Sequence, residues 1–457
     1  MLRSIDPATG TELASFPEAG DAEVEAALAK AWAVRHGWRD AGIEHRTTLL
    51  KAVAGVLRAD KARYASILTS EMGKPIVEAE GEVEKCAWTA GWIADNAARL
   101  LADETIESSA TQSYVRYQPL GVVLAVMPWN FPFWQAFRAG LTALAAGNVM
   151  LLKHASNVPQ SALAVEEVFR EAGVPDGVFQ TLLIGSGAVD QIITDRRVAG
   201  VTLTGSEAAG AHVAATAGKA LKKTVLELGG SDPFIVLADA DVATAATVAC
   251  RARNQNNGQS CIAAKRFIVV EDVADGFEKR FVAAVGGLKV GDPMDRGNQV
   301  GPLARADLLD ALERQVRESV DMGARVLTGG KRLDGAGNYY APTVLGGVKP
   351  QMPVFREETF GPVAALIRVR DAEEAIAVAN DSDFGLGSSI WTADVERARG
   401  LAERVEAGMV FVNGMVASDA RLPFGGVKRS GYGRELSEIG IREFTNAQTV
   451  WVGPAKS

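Results

Sequence analysis

The chain has 457 residues, of which 47% are hydrophobic and 23% charged, a balance typical of a globular protein with a large core. This length predicts two or three domains. The formal net charge is −8 and no block of lysine and arginine stands out, which argues against a nucleic-acid partner. Residues 1–16 lack the apolar core of a secretory signal, and the longest apolar runs are too short to cross a bilayer, so we expect no membrane association.

The cysteines and histidines narrow the chemistry further. Cys86, Cys250 and Cys261 are odd in number and do not suggest a disulfide framework, so we expect reduced thiols and a cytoplasmic protein. None of the four histidines lies at ligand spacing from another histidine or a cysteine, so we expect no metal site.

The chain opens with helical text and then changes rhythm. Residues 21–34 (DAEVEAALAKAWAV) begin with a capping aspartate and keep apolar residues on one face, which predicts an amphipathic helix. From Gly121 to Leu228, and again from Pro233 onward, almost wholly apolar runs alternate with helical stretches. This alternation predicts parallel sheets covered on both faces, the doubly wound α/β class, whose ligand crevice lies at the carboxyl ends of the strands.

Two segments fall outside that alternation. Residues 107–120 (ESSATQSYVRYQPL) are rich in serine and threonine with alternating apolar residues, a pattern compatible with an exposed hairpin. Residues 445–453 (TNAQTVWVG) are a candidate partner strand for it.

Two places could hold a phosphate or a ribose, although no GxGxxG motif opens a helix after a strand. VTLTGSEAAG puts Gly205 and Ser206 at a strand–helix turn, where free N–H groups and the helix dipole favour an anion. The alternative is a plain strand–helix turn. Lys153 ends the strand NVMLLK and either reaches a ribose or phosphate or is simply solvated.

Three residues are candidates for catalysis. Cys261, in QNNGQSCIAAKRF, follows polar residues instead of a core stripe, so it is either an ordinary loop residue or a thiol displayed for reaction. Glu227, in TVLELGGSDP, lies in an apolar strand, where desolvation would raise its pKa towards that of a usable base; an edge-strand glutamate is the alternative. Asn130 lies between two prolines, in a turn that either aims its amide at an oxyanion or is merely rigid.

Six motifs occur in one order along the chain: PWNFP, LTGS, LELGG, GQSC, EETFGP and PFGGVKRSGYGRE. With these motifs the chain resembles the NAD(P)-dependent aldehyde dehydrogenase superfamily over essentially its whole length. LLKHASNVPQ, ELGGSDPFIV and NNGQSCIAAKRFIV are similar to its succinate-semialdehyde dehydrogenase branch.

The resemblance implies an aldehyde dehydrogenase-like fold, with two doubly wound parallel-sheet domains and a β-arm for oligomerisation as a homodimer or homotetramer. We expect the domains to be a cofactor-binding domain of residues 1–106 and 121–228, a catalytic domain of residues 229–424, and an arm of residues 107–120 and 440–457.

It also implies roles for individual residues. Cys261 matches the nucleophile and Glu227 the general base, while Asn130 and the Cys261 N–H match the oxyanion hole. The expected reaction passes through a hemithioacetal and a thioester, which glutamate-activated water hydrolyses. The positions that match cofactor contacts are Trp129, Asn130, Lys153, Ser156, Gly205, Ser206, Leu228, Glu358 and Phe360.

Cofactor and substrate preferences follow from single positions. Many NAD-using relatives carry a glutamate where this chain has Ser156, and without that carboxylate we expect NADP to be favoured and NAD accepted. For a substrate carboxylate, Arg138 is the expected anchor, with a surface helix arginine as the alternative. Gln255 replaces a second arginine of the succinate-semialdehyde relatives, and we expect Ser418 or Arg421 to compensate.

The predicted substrate is succinate semialdehyde, and three alternatives remain. The first is another small or ω-carboxylated aldehyde, such as glutarate semialdehyde. The second is a CoA-acylating enzyme, against which Glu227 argues because that branch generally lacks this base. The third is a protein without activity, against which the joint presence of Cys261, Glu227 and Asn130 argues.

Overall fold

The structure, a computed structural model, describes residues 1–454, so residues 455–457 of the predicted arm lie outside the described part. Within residues 1–454, no helix combines the length and apolarity needed to cross a membrane. Fifteen helices are described, with these bounds: α1 Asp21–Asp40, α2 Ile43–Ala59, α3 Lys61–Met72, α4 Ile76–Leu100, α5 Pro132–Ala145, α6 Pro159–Glu171, α7 Val189–Thr194, α8 Glu207–Lys219, α9 Val242–Asn254, α10 Glu271–Gly286, α11 Ala306–Asp321, α12 Pro353–Arg356, α13 Ala372–Asn380, α14 Val395–Ala402 and α15 Ser437–Arg442.

A first sheet contains the first series of predicted strands. Its members are β5 (Val122–Met127), β6 (Val149–His154), β7 (Phe179–Thr181), β8 (Val198–Thr204), β9 (Lys223–Glu227) and β19 (Gly431–Tyr432). The spatial order is β19-β9-β8-β5-β6-β7, with β5 to β9 parallel and β19 antiparallel to β9. The chain leaves β5 towards one edge through β6 and β7, then fills the other side with β8 and β9. The carboxyl ends of β5 and β8 therefore border the crevice where doubly wound sheets bind ligands.

A second sheet holds seven strands. They are β10 (Asp232–Val236), β11 (Ala264–Val270), β12 (Arg325–Thr328), β13 (Thr343–Gly346), β14 (Val363–Val369), β16 (Gly387–Trp391) and β17 (Met409–Val412). The order is β12-β13-β14-β11-β10-β16-β17, and every neighbouring pair is parallel except β12 with β13. The predicted doubly wound α/β class is confirmed.

Helices cover both faces of the first sheet at its centre. Every residue of β6 is buried, and since successive side chains of a strand point to opposite faces, both faces must be covered. Helices α1 and α5 pack on this strand, and α8 packs on β8 and β9. Helix α4 packs in turn against α5 and thereby brings its own side chains near the end of β5.

A three-stranded antiparallel sheet joins distant parts of the chain. It consists of β3 (Glu104–Thr105), β4 (Gln112–Pro119) and β20 (Thr445–Val452), in the order β20-β4-β3. The candidate partner segment near the C-terminus is thus β20, paired along the whole of β4. Two small antiparallel pairs remain: β1 (Leu2–Ile5) with β2 (Glu12–Phe16), and β15 (Phe384–Gly385) with β18 (Val427–Lys428).

Candidate active site

Cys261 lies in the loop before β11, and its half-buried side chain lines a cavity of about 390 Å³. Asn256 and Asn257, just upstream, adopt left-handed backbone conformations with φ of 58° and 57°, which asparagine tolerates better than most residues. The Asn257 amide donates to the carbonyls of Gly73 and Pro302 at 2.7 and 2.9 Å. The polar residues before the cysteine therefore fix a buried loop instead of meeting solvent.

Asn130 lies three residues beyond β5 and is buried. Its amide nitrogen donates to the carbonyl of Gln259 at 3.0 Å, and its amide oxygen accepts from Gln135 at 3.0 Å. Asn256 holds the Asn130 backbone carbonyl through a bond of 2.9 Å. Because Gln135 occupies the oxygen, the nitrogen faces the segment two residues before Cys261, the orientation that an oxyanion donor needs.

A buried carboxylate fixes the helix that follows Asn130. Glu82 of α4 accepts from the backbone N–H groups of Phe133 and Trp134, both at 2.9 Å, and forms an ion pair with Lys74. These N–H groups belong to the first turn of α5, which has no intrahelical partners for them. Glu82 thus satisfies the helix terminus and fixes the turn that carries Asn130.

Glu227 is the last residue of β9 and is almost completely buried. Neither carboxylate oxygen has a hydrogen-bond partner among the described residues. Burial raises its pKa to about 8; the Glu435 carboxylate adds to this effect, while the Arg138 and Arg434 guanidinium groups oppose it. A carboxyl group with this pKa can act as a base near neutral pH.

The Cys261 thiol is not activated by its surroundings alone. Burial raises the pKa of this thiol to about 12, with Lys265 lowering it and the charge of Glu227 raising it further. The half-buried side chain faces a cavity that is partly open to solvent. The sequence suggests a more polar setting, and at neutral pH the structure holds the sulfur as a thiol.

Two glycines of the LELGG motif permit close approaches. A Cβ atom on Gly230 would lie 2.6 Å from the backbone carbonyl oxygen of Cys261, and one on Gly229 would lie 2.7 Å from the Glu358 carboxylate. The N–H of Gly230 donates to that carboxylate at 3.0 Å. The two glycines therefore let the backbone of Cys261 and the carboxylate of Glu358, a predicted cofactor contact, lie close to the segment that follows Glu227.

The predicted cofactor contacts gather beyond the ends of β5, β6 and β8. Lys153 is buried at the end of β6 and makes no ion pair within residues 1–454; burial lowers its pKa. Ser156 is exposed just beyond that strand. A buried amine without an ionic partner, beside the crevice at the switch point of the sheet, fits a phosphate or ribose group of a dinucleotide.

Other predicted contacts surround the same crevice. The Ser206 hydroxyl caps α8 by accepting from the Ala209 N–H at 3.3 Å, directly after Gly205. Trp129 and Phe360 pack edge to face with ring centroids 5.6 Å apart. Leu228 is buried against α8, where a Cβ on Gly210 would clash with it. None of the nine predicted cofactor contacts is among the residues lining the 390 Å³ cavity.

The predicted substrate residues do not all lie together. Arg138 and Ser418 line the cavity with Cys261. Arg421 is not among the lining residues; it is exposed and lies 2.5 Å from Asp419. The structure gives Arg421 no place beside the substrate, because a short loop turns its side chain towards Asp419.

Comparisons with known proteins identify the family of this chain. The sequence profile of the aldehyde dehydrogenase family matches residues 1–450. The chain belongs to the aldehyde dehydrogenase family. It is 52% identical over 451 residues to a probable succinate-semialdehyde dehydrogenase [NADP(+)] of Synechocystis sp., covering 99% of each chain. It is 51% identical over 448 residues to the succinate semialdehyde dehydrogenase [NAD(P)+] Sad of Escherichia coli, covering 98% of this chain and 97% of that one.

Solved structures give the same family. The succinic semialdehyde dehydrogenase of Streptococcus pyogenes in complex with NADP+ superimposes with a TM-score of 0.97 and 41% identity, covering 99% of this chain and 100% of that one. A structure described as giving insights into cofactor and substrate selection by Gox0499 has a TM-score of 0.98, also at 41% identity, and covers 99% of each chain. The aldehyde dehydrogenase fold predicted from the motifs is confirmed.

Several residues of this aldehyde dehydrogenase site escape sequence reasoning. Gln135 orients Asn130, and Glu435 pairs with Arg138. Lys85 of α4 lines the cavity beside Ser418. For Lys85, the signal in the sequence is that polar residues recur on the face of α4 that carries apolar ones; Gln135 and Glu435 have no such signal.

Proposed function

We propose that this protein oxidises succinate semialdehyde to succinate, with NADP⁺ as the favoured hydride acceptor and NAD⁺ as a second one. The observation that carries this proposal is that Cys261 lines a cavity, that the buried Glu227 carboxylate lies near enough to act on its thiol, and that the Asn130 amide bonds to the backbone two residues before it. The printed names of the relatives support the choice of aldehyde and cofactor.

The reaction begins at Cys261. The thiol proton passes to solvent water, the resulting thiolate sulfur bonds to the aldehyde carbon, and the carbonyl oxygen becomes an oxyanion. The amide nitrogen of Asn130 and the backbone N–H of Cys261 donate to that oxyanion and stabilise it. Gln135 contributes by holding the Asn130 amide in the required orientation.

The chemistry that bound NADP⁺ supplies is acceptance of the hydride from the former aldehyde carbon, which leaves a thioester on Cys261. Glu227 then takes a proton from water, and the hydroxyl oxygen attacks the thioester carbon. The carbon–sulfur bond breaks, succinate is released, and the Cys261 thiolate takes a proton from solvent water. Since the free carboxyl has a pKa near 8, it returns the proton to solvent readily between turnovers.

The residues that would hold NADP⁺ are those gathered at the sheet switch point. Lys153 would pair with an anionic or hydroxyl group, and the turn of Gly205 and Ser206 would bind a phosphate through its N–H groups. Ser156 leaves space without negative charge for the 2′-phosphate. Glu358 is available as an acceptor for ribose hydroxyls, since Gly230 already fixes its carboxylate.

A panel of aldehydes with NAD⁺ and NADP⁺, followed by absorbance of the reduced cofactor, tests the proposal. Succinate semialdehyde should give the highest kcat/KM, and Cys261→Ser should lower that value at least roughly a thousandfold. Cys250→Ser is the matched control: this buried thiol lies on α9, bonds only weakly to Asn254 and should leave activity near that of the parent. Equal activity of Cys261→Ser would overturn the mechanism.

Two alternatives have distinct outcomes in the same panel. Preference for glutarate semialdehyde or another small aldehyde would change the substrate but keep the mechanism. A CoA-acylating enzyme would form acyl-CoA and stall without CoA; the placement of Glu227 argues for water as acceptor. Formation of free succinate without CoA decides between them.

We also propose that the protein is a cytoplasmic homodimer or homotetramer. The arm sheet of β3, β4 and β20 leaves large apolar side chains exposed, among them Ile106 beside β3 and Trp451 and Val452 of β20, at 50%, 55% and 43%. Such a surface is suited to a second copy of the chain. All three cysteines are free, which is compatible with the reducing conditions of a cytoplasm. Sedimentation velocity measures the oligomeric state.

A further inference from the structure

Lys85 is a cation inside the substrate cavity. It lies on α4, and its Nζ donates to the Ser418 hydroxyl at 2.6 Å while lying 4.3 Å from the centroid of the Trp134 ring. Lys85, Ser418 and Trp134 line the same cavity as Cys261. A single cavity therefore connects this amine with the nucleophilic sulfur.

Within residues 1–454, Lys85 has no carboxylate at ion-pair distance, whereas most charged groups around it are already matched. Glu78, which also lines the cavity, accepts from the Asn256 N–H at 2.6 Å. The matched pairs are Glu82 with Lys74, Arg138 with Glu435, and Asp419 with Arg421.

No carboxylate among the described residues pairs directly with Lys85, although the more distant Glu82 and Asp419 carboxylates act on it. Burial, and to a smaller extent the neighbouring Arg138 guanidinium, lower the pKa of Lys85 to about 8. The charged form of this amine is therefore destabilised in the cavity. An anion that enters the cavity and contacts Nζ would relieve both effects. Arg138, the anchor predicted from the sequence, is less suited, since the Glu435 carboxylate already neutralises its charge.

We propose that Lys85, together with the Ser418 hydroxyl, binds the carboxylate of the substrate and determines the preference for ω-carboxylated aldehydes. The identity of the aldehyde rests on the proposed function; the carboxylate site does not. Lys85 supplies the charge and Ser418 a second donor, while Trp134 holds the lysine stem in place.

The first experiment compares two aldehydes of four carbons, succinate semialdehyde and butanal, which differ in the carboxylate. Lys85→Met keeps the unbranched stem and removes the charge. The ratio of kcat/KM for succinate semialdehyde to that for butanal should fall at least tenfold, mainly through KM for the semialdehyde. Lys85→Arg should restore a substantial part of the ratio.

Arg251→Met is the matched control, because Arg251 is another cation that lines the same cavity but is exposed. Removing it tests general attraction of anions to the cavity. If Arg251→Met lowers the ratio as much as Lys85→Met, or if Lys85→Met slows both aldehydes equally, the assignment of Lys85 is overturned.

A second experiment needs no semialdehyde turnover. Titration calorimetry with succinate as the probe should show binding to the parent protein and at least tenfold weaker binding to Lys85→Met. If the parent oxidises butanal but not succinate semialdehyde, the proposed substrate fails, while loss of succinate binding in Lys85→Met still supports the carboxylate site. Unchanged succinate binding in Lys85→Met refutes it.

Discussion

The guanidinium of Arg138 lies 2.5 Å from a carboxylate oxygen of Glu435, and both side chains are buried. This pair connects α5 with the segment before α15 and lies close enough to Glu227 to affect its pKa from both partners. Arg138 therefore neutralises the buried Glu435 carboxylate and lowers the pKa of Glu227, independently of any contact with the substrate.

Arg138→Met should destabilise the fold. It leaves the Glu435 carboxylate buried without its cation, and removing one partner of a buried pair typically costs about 3–5 kcal/mol. Urea denaturation followed by circular dichroism measures the free energy of unfolding. Arg421→Met, which removes an exposed arginine from its pair with Asp419, is the control and should change that free energy little. Equal effects of the two substitutions would contradict the account of the pair.

The raised pKa of Glu227 should determine how turnover depends on pH. A pKa raised to about 8 means that the carboxyl is neutral below this pH and becomes the carboxylate, the active base, above it. With butanal, which carries no carboxylate, and with thioester hydrolysis limiting turnover, log kcat should rise with pH and level off above about pH 8.

Glu227→Gln should remove that dependence and slow thioester hydrolysis. Stopped-flow absorbance should then show a burst of about one reduced cofactor per active site, followed by slow turnover. Absence of both a burst and steady turnover would mean that Glu227 also deprotonates the thiol.

Asn130→Ala removes the proposed side-chain donor to the oxyanion. Loss of one such donor costs about 3 kcal/mol of barrier, so kcat should fall by roughly a hundredfold or more with a smaller change in KM. Steady-state kinetics with succinate semialdehyde measures both values. A raised KM with unchanged kcat would show that Asn130 serves binding alone.

Ser156→Glu should shift cofactor use towards NAD⁺. A carboxylate beyond β6 would repel the 2′-phosphate of NADP⁺ and accept from the ribose hydroxyl of NAD⁺. The ratio of kcat/KM for NADP⁺ to that for NAD⁺ should fall at least tenfold. Ser156→Ala, which adds no charge, should leave the ratio within a few-fold of the parent, and a strong NAD⁺ preference of the parent would refute the assignment.

The regular elements follow closely from local patterns. β6 and β9 are apolar runs between turn signals, and the structure places them within a residue or two of the predicted strands NVMLLK and TVLEL. The strand–helix alternation is enough to predict parallel sheets, because no other arrangement buries such strands on both faces. The domain boundaries remain predictions.

The site is less predictable, because its members meet only through packing. Cys261 lines the cavity, while Glu227 and Asn130 lie close to it behind the lining residues, and their catalytic roles stay predictions. Nothing local in the sequence ties Arg138 to Glu435. Lys85 is not recognised from the sequence, because the periodicity of α4 shows which helix face it occupies but not which residues pack against that face. Arg421 is close to Ser418 in sequence, but it is not among the residues that line the cavity.

The amide of Asn257 binds two carbonyl oxygens, those of Gly73 and Pro302, which belong to stretches far before and after it in the chain. The loop that positions the reactive sulfur is therefore fixed only after three segments distant in sequence have packed together. In a refolding experiment, recovered turnover should lag behind recovered helix content, so that catalytic competence serves as a gauge of the last steps of assembly.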